Sequence, residues 1–220
     1  MNDALQVGLI VSSTGFPLGS FDREDEMPDE RFYIVPRLVV HMDDGAIGAL
    51  RRYLRRELLP HGDVLDLMSS WRSHLPEDIP LSRVVGVGLN EVELAENPQL
   101  TEYQVHDLNL DPSLPFEDAE FDSVLLTVSV QYLVRPLEVF QEAGRVLRGG
   151  GQFTISFSNR MFPTKAVRVW REGGDREHVL LVHEYFRMAG GFEDIRTVVK
   201  PPSEAFSDPL FIVAGRRAGV

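Results

Sequence analysis

Residues 121–157 have the sequence FDSVLLTVSVQYLVRPLEVFQEAGRVLRGGGQFTISF, and this stretch decides the fold. Its first part, Phe121 to Val130, is a long apolar run, which predicts a buried strand. Residues Glu138 to Leu147 place apolar side chains at helical spacing and end at three glycines, which predicts a helix. Residues 152–157 predict a second strand. Strand, helix and strand in succession indicate two parallel strands joined by a crossover helix.

The same alternation extends toward the N-terminus. Short apolar runs between turn residues predict strands at residues 63–68 and 84–89, and a weaker strand at 103–106. Before them, a helix is predicted from Ala46 to Leu59, with Asp43 or Asp44 as its N-terminal cap. Strands that alternate with helices are typical of a parallel sheet that is covered on both faces.

The C-terminal part departs from this alternation. A helix is predicted over Glu184 to Ala189, and strands are predicted at residues 195–199 and 210–214 with no helix between them. Two strands joined without a helix form an antiparallel hairpin. The sequence therefore predicts an α/β fold with a seven-stranded, mainly parallel sheet, helices on both faces and a C-terminal antiparallel hairpin.

Composition excludes several classes of protein. The 220 residues are 43% apolar and 25% charged, as in one globular domain, and the net charge of −12 disfavours a nucleic-acid partner. Cysteine is absent, which excludes disulfides and thiolate chemistry, and the histidine spacings match no metal motif. No apolar run is long enough for a membrane span, and the first residues lack the basic start of a signal peptide. These features predict a cytoplasmic protein that holds no metal; its oligomeric state is left open.

The N-terminal residues have no clear periodicity. Residues 1–42 are predicted to form an extension or a lid, and residues 43–220 the main domain. Residues 7–11 are predicted to form either a short strand or an apolar arm. Six of the nine residues from Asp22 to Glu30 are acidic, which predicts a solvated loop.

Polar residues follow the first three predicted strands, where ligands of open α/β sheets bind. A polar group after the second strand can hold a ribose hydroxyl, and Asp107 can accept a hydrogen bond from an exocyclic amine such as that of adenine. Helix capping is the alternative role of such residues. Gly86 and Gly88 lie inside a strand and not in a phosphate-binding turn, so dinucleotides and nucleoside triphosphates are disfavoured. The residues predicted to bind a nucleoside-containing cofactor are Asp66, Met68, Ser69, Ser70, Trp71, Asn90, Glu91, Asp107, Leu108, Asn109 and Thr127.

Three segments resemble the class I S-adenosylmethionine-dependent methyltransferases. Leu114 to Val124 resembles their "LPF-acidic-FD" segment, Val130 to Leu133 resembles the residues that follow it, and Arg145 to Gly151 resembles their "RVL-basic-PGG" turn. The likeness covers roughly residues 43–215 and is closest to small-molecule methyltransferases of the quinone-biosynthesis-like type. It implies a Rossmann-like fold, S-adenosylmethionine as cofactor and a small-molecule substrate.

The sequence departs from this superfamily after the first strand. Where a glycine-rich loop is usual, residues 66–71 contain no glycine, and Asn90 stands where an acidic residue is usual. Glycine allows close backbone approach and unusual dihedral angles that serine adopts less readily. Two functions therefore remain open: a methyltransferase, and a non-catalytic protein that binds S-adenosylmethionine or S-adenosylhomocysteine. A nicotinamide-dependent oxidoreductase is a third, which the missing phosphate loop disfavours.

Methyl transfer requires alignment of donor and acceptor, and a general base helps when the acceptor carries a proton. We expect the base to be His41 or His74, and the aromatic faces of Trp71 and Tyr132 to lie near the sulfonium. The catalytic candidates are thus His41, His74 and Tyr132. The substrate candidates are Tyr33 and Arg37 from the predicted lid, and Asn159, Arg160 and Lys165 after the fifth strand, where cations can bind an anionic substrate.

Overall fold

The structure is a computed structural model that describes residues 15–202 and 207–219. The strand or arm predicted at residues 7–11 lies outside this range. Helices and strands alternate along the chain before a C-terminal pair of strands. The elements are α1 (Asp29–Phe32), α2 (Asp44–Glu57), β1 (Asp63–Leu67), β2 (Arg83–Gly88), α3 (Glu91–Ala95), β3 (Glu102–Val105), β4 (Phe121–Thr127), α4 (Pro136–Val146), β5 (Leu147–Phe157), α5 (Arg168–Arg171), α6 (Asp175–Ala189), β6 (Phe192–Lys200) and β7 (Leu210–Arg217), with a 3-10 turn at Val130–Tyr132.

The seven strands form one sheet in the order β3-β2-β1-β4-β5-β7-β6. The pairs from β3 to β5 are parallel, and β7 is antiparallel to both β5 and β6. The predicted fold class is therefore confirmed. The strand order reverses between β1 and β4, and such a switch point opens a crevice at the carboxyl ends of the strands.

Two apolar cores cover the two faces of the sheet. One core packs α4 and α6 against the sheet through an aromatic cluster in which Phe140 contacts Phe153, Tyr185 and Phe186 edge-to-face. The other core packs α2 against the opposite face. Helix α2 begins where Asp43 accepts a hydrogen bond from the backbone N–H of Ala46, which settles the choice between the two predicted caps.

Two elements differ from the sequence-based expectation. Helix α6 begins at Asp175 and is longer than predicted. Its His178 is buried and stacks on Trp170, with ring centroids 4.0 Å apart. The sequence predicts that three glycines separate α4 from the next strand. In the structure these glycines lie inside β5, which begins directly after α4. A Cβ on Gly151 would lie 2.9 Å from the carbonyl oxygens of Arg148 and Asp122, so only glycine fits at this irregular start of the strand.

Residues 15–43, called the strap here, cross the carboxyl ends of the strands. Asp29 lies at the centre of their attachment, 2.7 Å from Arg23 Nη1 and 3.1 Å from Lys165 Nζ. The Lys165 side chain is fully buried, and its ammonium also donates to the carbonyl oxygen of Met27 at 2.6 Å. Burial opposes ionisation of Asp29, but hydrogen bonds from Asn109 and Arg23 outweigh it and hold its pKa below the usual value. The interpretation of this acidic run as a solvated loop is therefore wrong for Asp29.

The strap has a second line of attachment above β1 and β2. The carbonyl oxygen of Tyr33 accepts from Asn90 Nδ2 at 2.7 Å, and the backbone N–H of Arg37 donates to a carboxylate oxygen of Glu93 at 2.6 Å. The indole N–H of Trp71 donates to the carbonyl oxygen of Val39 at 2.8 Å. The strap is thus fixed on both sides of the crevice.

Substitution of Lys165 by Met should be strongly destabilising. Among the described residues it leaves Arg23 as the one cationic partner of the buried Asp29, and breaking a buried ion pair costs about 3 kcal/mol or more. The control is Arg187→Met, because its pair with Glu184 is exposed and such pairs contribute less than about 1 kcal/mol. Urea unfolding at neutral pH measures both losses; equal losses would contradict the assigned role of the Lys165–Asp29 pair.

Candidate functional site

A cavity lies between the strap and the carboxyl ends of β1, β2 and β4. It is the place where the strand order reverses and where the sequence predicts a ligand. Most of the predicted cofactor residues line it: Asp66, Met68, Ser69, Ser70, Trp71, Asn90, Asp107, Leu108, Asn109 and Thr127.

The glycine-free loop after β1 is held against β2. Met68 has φ of 50°, so the chain keeps a left-handed turn at this position without glycine. The backbone N–H of Ser69 donates to the carbonyl oxygen of Val87 at 2.7 Å. A Cβ on Gly88 would lie only 2.3 Å from the carbonyl oxygen of Ser69. The close approach that a loop glycine usually permits therefore depends here on a glycine of the neighbouring strand.

Asp66 is a buried carboxyl group at the end of β1. Its side chain has 2% relative exposure, and its Oδ2 accepts a hydrogen bond from Ser69 Oγ at 2.6 Å. Burial raises the pKa of Asp66 to about 6, although hydrogen bonds from Ser69 and Ser73 act in the opposite direction. The group is therefore largely ionised at neutral pH but costly to ionise, and a cation beside it would be stabilised.

The residues after β2 differ from the prediction. Asn90 caps α3 through its Oδ1 and uses its Nδ2 to hold the strap, so both ends of its amide have partners. Glu91 lies on the exposed side of the first turn of α3 and does not line the cavity. The buried carboxylate at this edge is Glu93, which accepts from Ser70 Oγ at 2.6 Å. The sequence signal for Glu93 was its position three residues after an N-cap, which by itself indicates only a capping box.

The residues after β3 are bound mainly to the protein itself. Asp107 Oδ1 accepts from the backbone N–H of Asn109 at 2.9 Å and, more weakly, from that of Leu110 at 3.3 Å. Asn109 donates to Asp29 and to the carbonyl oxygen of Tyr132, so it connects the strap to the segment after β4. Asn109 therefore shapes the cavity, whereas Asp107 Oδ2 has hydrogen-bonding capacity left for a ligand.

The three catalytic candidates line the cavity. Burial lowers the pKa of His41, and burial together with the charges of Arg51, His41 and Arg72 lowers that of His74 to about 4. Both imidazoles are thus neutral at pH 7 and able to accept a proton. Burial raises the pKa of Tyr132, whose hydroxyl accepts from the backbone N–H of Phe162 at 2.9 Å. Tyr132 is therefore protonated at neutral pH and is not a base there.

The substrate candidates divide into two groups. Tyr33, Arg37 and Lys165 line the cavity. The ammonium of Lys165, however, is committed to the strap. Asn159 and Arg160 do not line the cavity: Asn159 is exposed, and Arg160 pairs with Asp208 at 2.8 Å. The loop after β5 places both outside this cavity, and their role as substrate contacts stays a prediction.

Among residues 15–202 and 207–219, no group of three or more histidine, aspartate and glutamate side chains could hold a metal ion. Over the same part of the chain, no helix is both long and apolar enough to cross a membrane.

Replacing Asp66 by Asn tests its burial directly. An aspartate that has a pKa of about 3.9 when unfolded and about 6 when folded favours folding while it is protonated and loses this contribution as pH rises through 6. Relative to wild type, Asp66→Asn should therefore gain about 2 kcal/mol of unfolding free energy between pH 4.5 and pH 7.5. Urea unfolding of both proteins at the two pH values measures this gain. If the difference in unfolding free energy between variant and wild type does not change with pH, the raised pKa of Asp66 is refuted.

Sequence comparison finds a family match and one distant curated relative. The sequence model of a methyltransferase domain matches residues 70–155. A malonyl-[acyl-carrier protein] O-methyltransferase of Marinomonas sp. (strain MWYL1) is 28% identical over 83 residues, which cover 38% of this chain. The matched region spans 30% of that relative's length, so its substrate is not transferred to this chain by the match.

Solved structures share the fold. The PH0226 protein of Pyrococcus horikoshii OT3 superposes with a TM-score of 0.59 at 20% identity, covering 85% of this chain and 98% of that one. An S-adenosylmethionine-dependent methyltransferase of Mesorhizobium loti has a TM-score of 0.55 at 18% identity, covering 79% and 99% of the two chains. At these identities the likeness establishes the fold alone. The quinone-biosynthesis-like subtype stays a prediction. The chain is thus similar to S-adenosylmethionine-dependent methyltransferases: the methyltransferase-domain model matches residues 70–155, and the fold is shared with solved structures of such enzymes.

Proposed function

We propose that the chain transfers the methyl group of S-adenosylmethionine to a small molecule, and that the cavity beneath the strap is the site. The observation that carries this proposal is that Asp66 of β1, Glu93 of α3 and Asp107 after β3 converge on one cavity. The domain match over residues 70–155 supports the reaction class.

The residues fit the chemical groups of this cofactor. A buried, ionised Asp66 suits an ammonium group, because an opposite charge offsets its cost of ionisation. Each oxygen of Glu93 accepts one hydrogen bond in the structure and has a second lone pair left for the hydroxyls of a ribose. Asp107 Oδ2 accepts no hydrogen bond from the described residues and can accept one from an exocyclic amine. Glu93 thus takes the role that the sequence suggested for Asn90 or Glu91.

When bound, S-adenosylmethionine supplies an electrophilic methyl group on a sulfonium. The protein's part is to hold the acceptor at attacking distance and in line. The π faces of Trp71 and Tyr132 favour a positive charge in the cavity. If the acceptor is a hydroxyl, its proton goes to a neutral imidazole of His41 or His74. The strap covers this side of the cavity.

The alternative function is binding without catalysis. The observation that favours it is that the strap already engages Asn90, Glu93 and Asn109, and that the loop after β1 contains no glycine. A binding protein would take up the cofactor or S-adenosylhomocysteine and transfer no methyl group. Incubation with methyl-labelled S-adenosylmethionine and a cell extract separates the two functions.

Calorimetric titration with S-adenosylhomocysteine tests the assignment of the site. We expect Glu93→Gln to weaken binding by about tenfold or more, because hydrogen bonds to a charged acceptor contribute about 1.5–3 kcal/mol. The matched control is Glu91→Gln, which removes a neighbouring carboxylate of the same helix that does not line the cavity. Its affinity should equal that of wild type.

Two results would contradict the proposal. Absence of binding to the wild-type protein at millimolar ligand would mean that the cavity does not hold the cofactor. Equal losses of affinity in Glu93→Gln and Glu91→Gln would mean that Glu93 has no role in binding the ligand beyond that of its neighbour.

A further inference from the structure

We propose that the acceptor end of the cavity binds a small aromatic carboxylate, and that Arg37 recognises its carboxylate group. This inference rests on the proposed function, because it names the substrate class of the same site.

Arg37 extends from the strap toward the β4–β5 side of the cavity. Its backbone is fixed above the end of β2 by Glu93, but its guanidinium lies over three aromatic rings. The guanidinium carbon is 4.3 Å from the ring centroid of Phe32, 5.2 Å from that of Tyr33 and 5.3 Å from that of Phe162. Phe162 follows β5, and its backbone N–H donates a hydrogen bond to the hydroxyl of Tyr132, which follows β4. The guanidinium thus contacts the segment after β5, whereas the backbone of the same residue is bonded to Glu93.

Arg37 differs from the other cations that line the cavity. Arg23 and Lys165 share the carboxylate of Asp29, and Arg72 stacks on the ring of Trp71 at 3.9 Å and donates to backbone carbonyls. Within residues 15–202 and 207–219, Arg37 forms no ion pair with a carboxylate. Its one side-chain hydrogen bond in that range runs from Nη2 to the carbonyl oxygen of Phe32, at 2.8 Å.

The remaining Nη1 of Arg37 is buried and has no hydrogen-bond partner among the described residues. A buried N–H of a charged group without a partner is costly, so a ligand that accepts from it gains the energy that the free protein lacks. The guanidinium carbon lies over aromatic rings, and hydrogen bonds to a ligand are available to the guanidinium only through the N–H groups along its edge. A carboxylate matches that edge, because two planar groups pair through parallel N–H···O bonds.

The surroundings indicate an aromatic body for this ligand. The rings of Phe162 and Tyr132 are nearly parallel, with centroids 6.1 Å apart, and His41 packs edge-on against Phe162 at 5.4 Å. Flat apolar walls of this kind favour a ring over a flexible polar chain. An aromatic acid would thus place its carboxylate at Arg37 and its ring beside His41, which is neutral at pH 7 and free to take a proton from the acceptor group.

The test is calorimetry on the protein saturated with S-adenosylhomocysteine. The probes are 4-hydroxybenzoate and its uncharged analogue 4-hydroxybenzamide. We expect the acid to bind at least about tenfold more tightly than the amide, and Arg37→Met to remove this preference. Arg37→Lys should keep part of it, because lysine retains the charge but not the planar fork. The control is Arg31→Met, which removes an exposed cation of the same strap that does not line the cavity.

Several outcomes would overturn the inference. These are equal affinity for acid and amide, no binding of the acid at millimolar concentration, or unchanged preference in Arg37→Met. A tenfold loss of S-adenosylhomocysteine affinity in Arg37→Met would assign the arginine to the cofactor's own carboxylate and would also overturn it. If wild type fails to bind S-adenosylhomocysteine, the proposed function fails separately, and the same pair of probes on the ligand-free protein then decides the role of Arg37.

Discussion

The site depends on the ion pairs that the buried carboxylate of Asp29 forms. This carboxylate binds Arg23 and Lys165 at once and accepts a further hydrogen bond from Asn109. These partners come from the strap itself, the segment after β5 and the end of β3. Removing either cation leaves a charge in a buried position, so the strap, the β3 end and the β5 segment are fixed together. Without this attachment, the strap would be held over the cavity by its second line of contacts, at Asn90, Glu93 and Trp71.

The loop after β1 shows a second constraint. Its backbone approaches β2 so closely that Gly88 has no space for a side chain, and Met68 takes a left-handed conformation that is uncommon for a residue other than glycine. The loop also supplies hydroxyl groups where glycines would supply none: Ser69 bonds to Asp66 and Ser70 bonds to Glu93. Two of the three carboxylates of the site, those of Asp66 and Glu93, are thus oriented by the loop that departs from the superfamily pattern.

The fold could be predicted from sequence because each strand carries its own local signal. The apolar runs at residues 63–68 and 121–130 indicate strands that are buried on both faces of the sheet. The helical pattern between strands indicates the crossover connections of a parallel sheet. The carboxyl ends of the strands then follow from topology, which is why Asp66 and Asp107 could be placed at one cavity in advance.

The remaining site residues depend on contacts between distant parts of the chain. Asp29 belongs to an acidic run that resembles a solvated loop, and only a buried lysine from the other end of the domain makes it structural. Lys165 was predicted to bind substrate, because the sequence does not reveal that its partner is Asp29. Glu91 and Glu93 have the same charge and lie in the same turn. Only the direction in which α3 packs tells that the second one is buried.

The most direct test of this account is amide hydrogen exchange with and without S-adenosylhomocysteine. If the cavity beneath the strap is the cofactor site, the ligand should slow exchange at the loop after β1, at residues 88–93 and at residues 107–109, and also in the strap at residues 33–40. Slower exchange confined to other parts of the protein, or no change at all at saturating ligand, would contradict it.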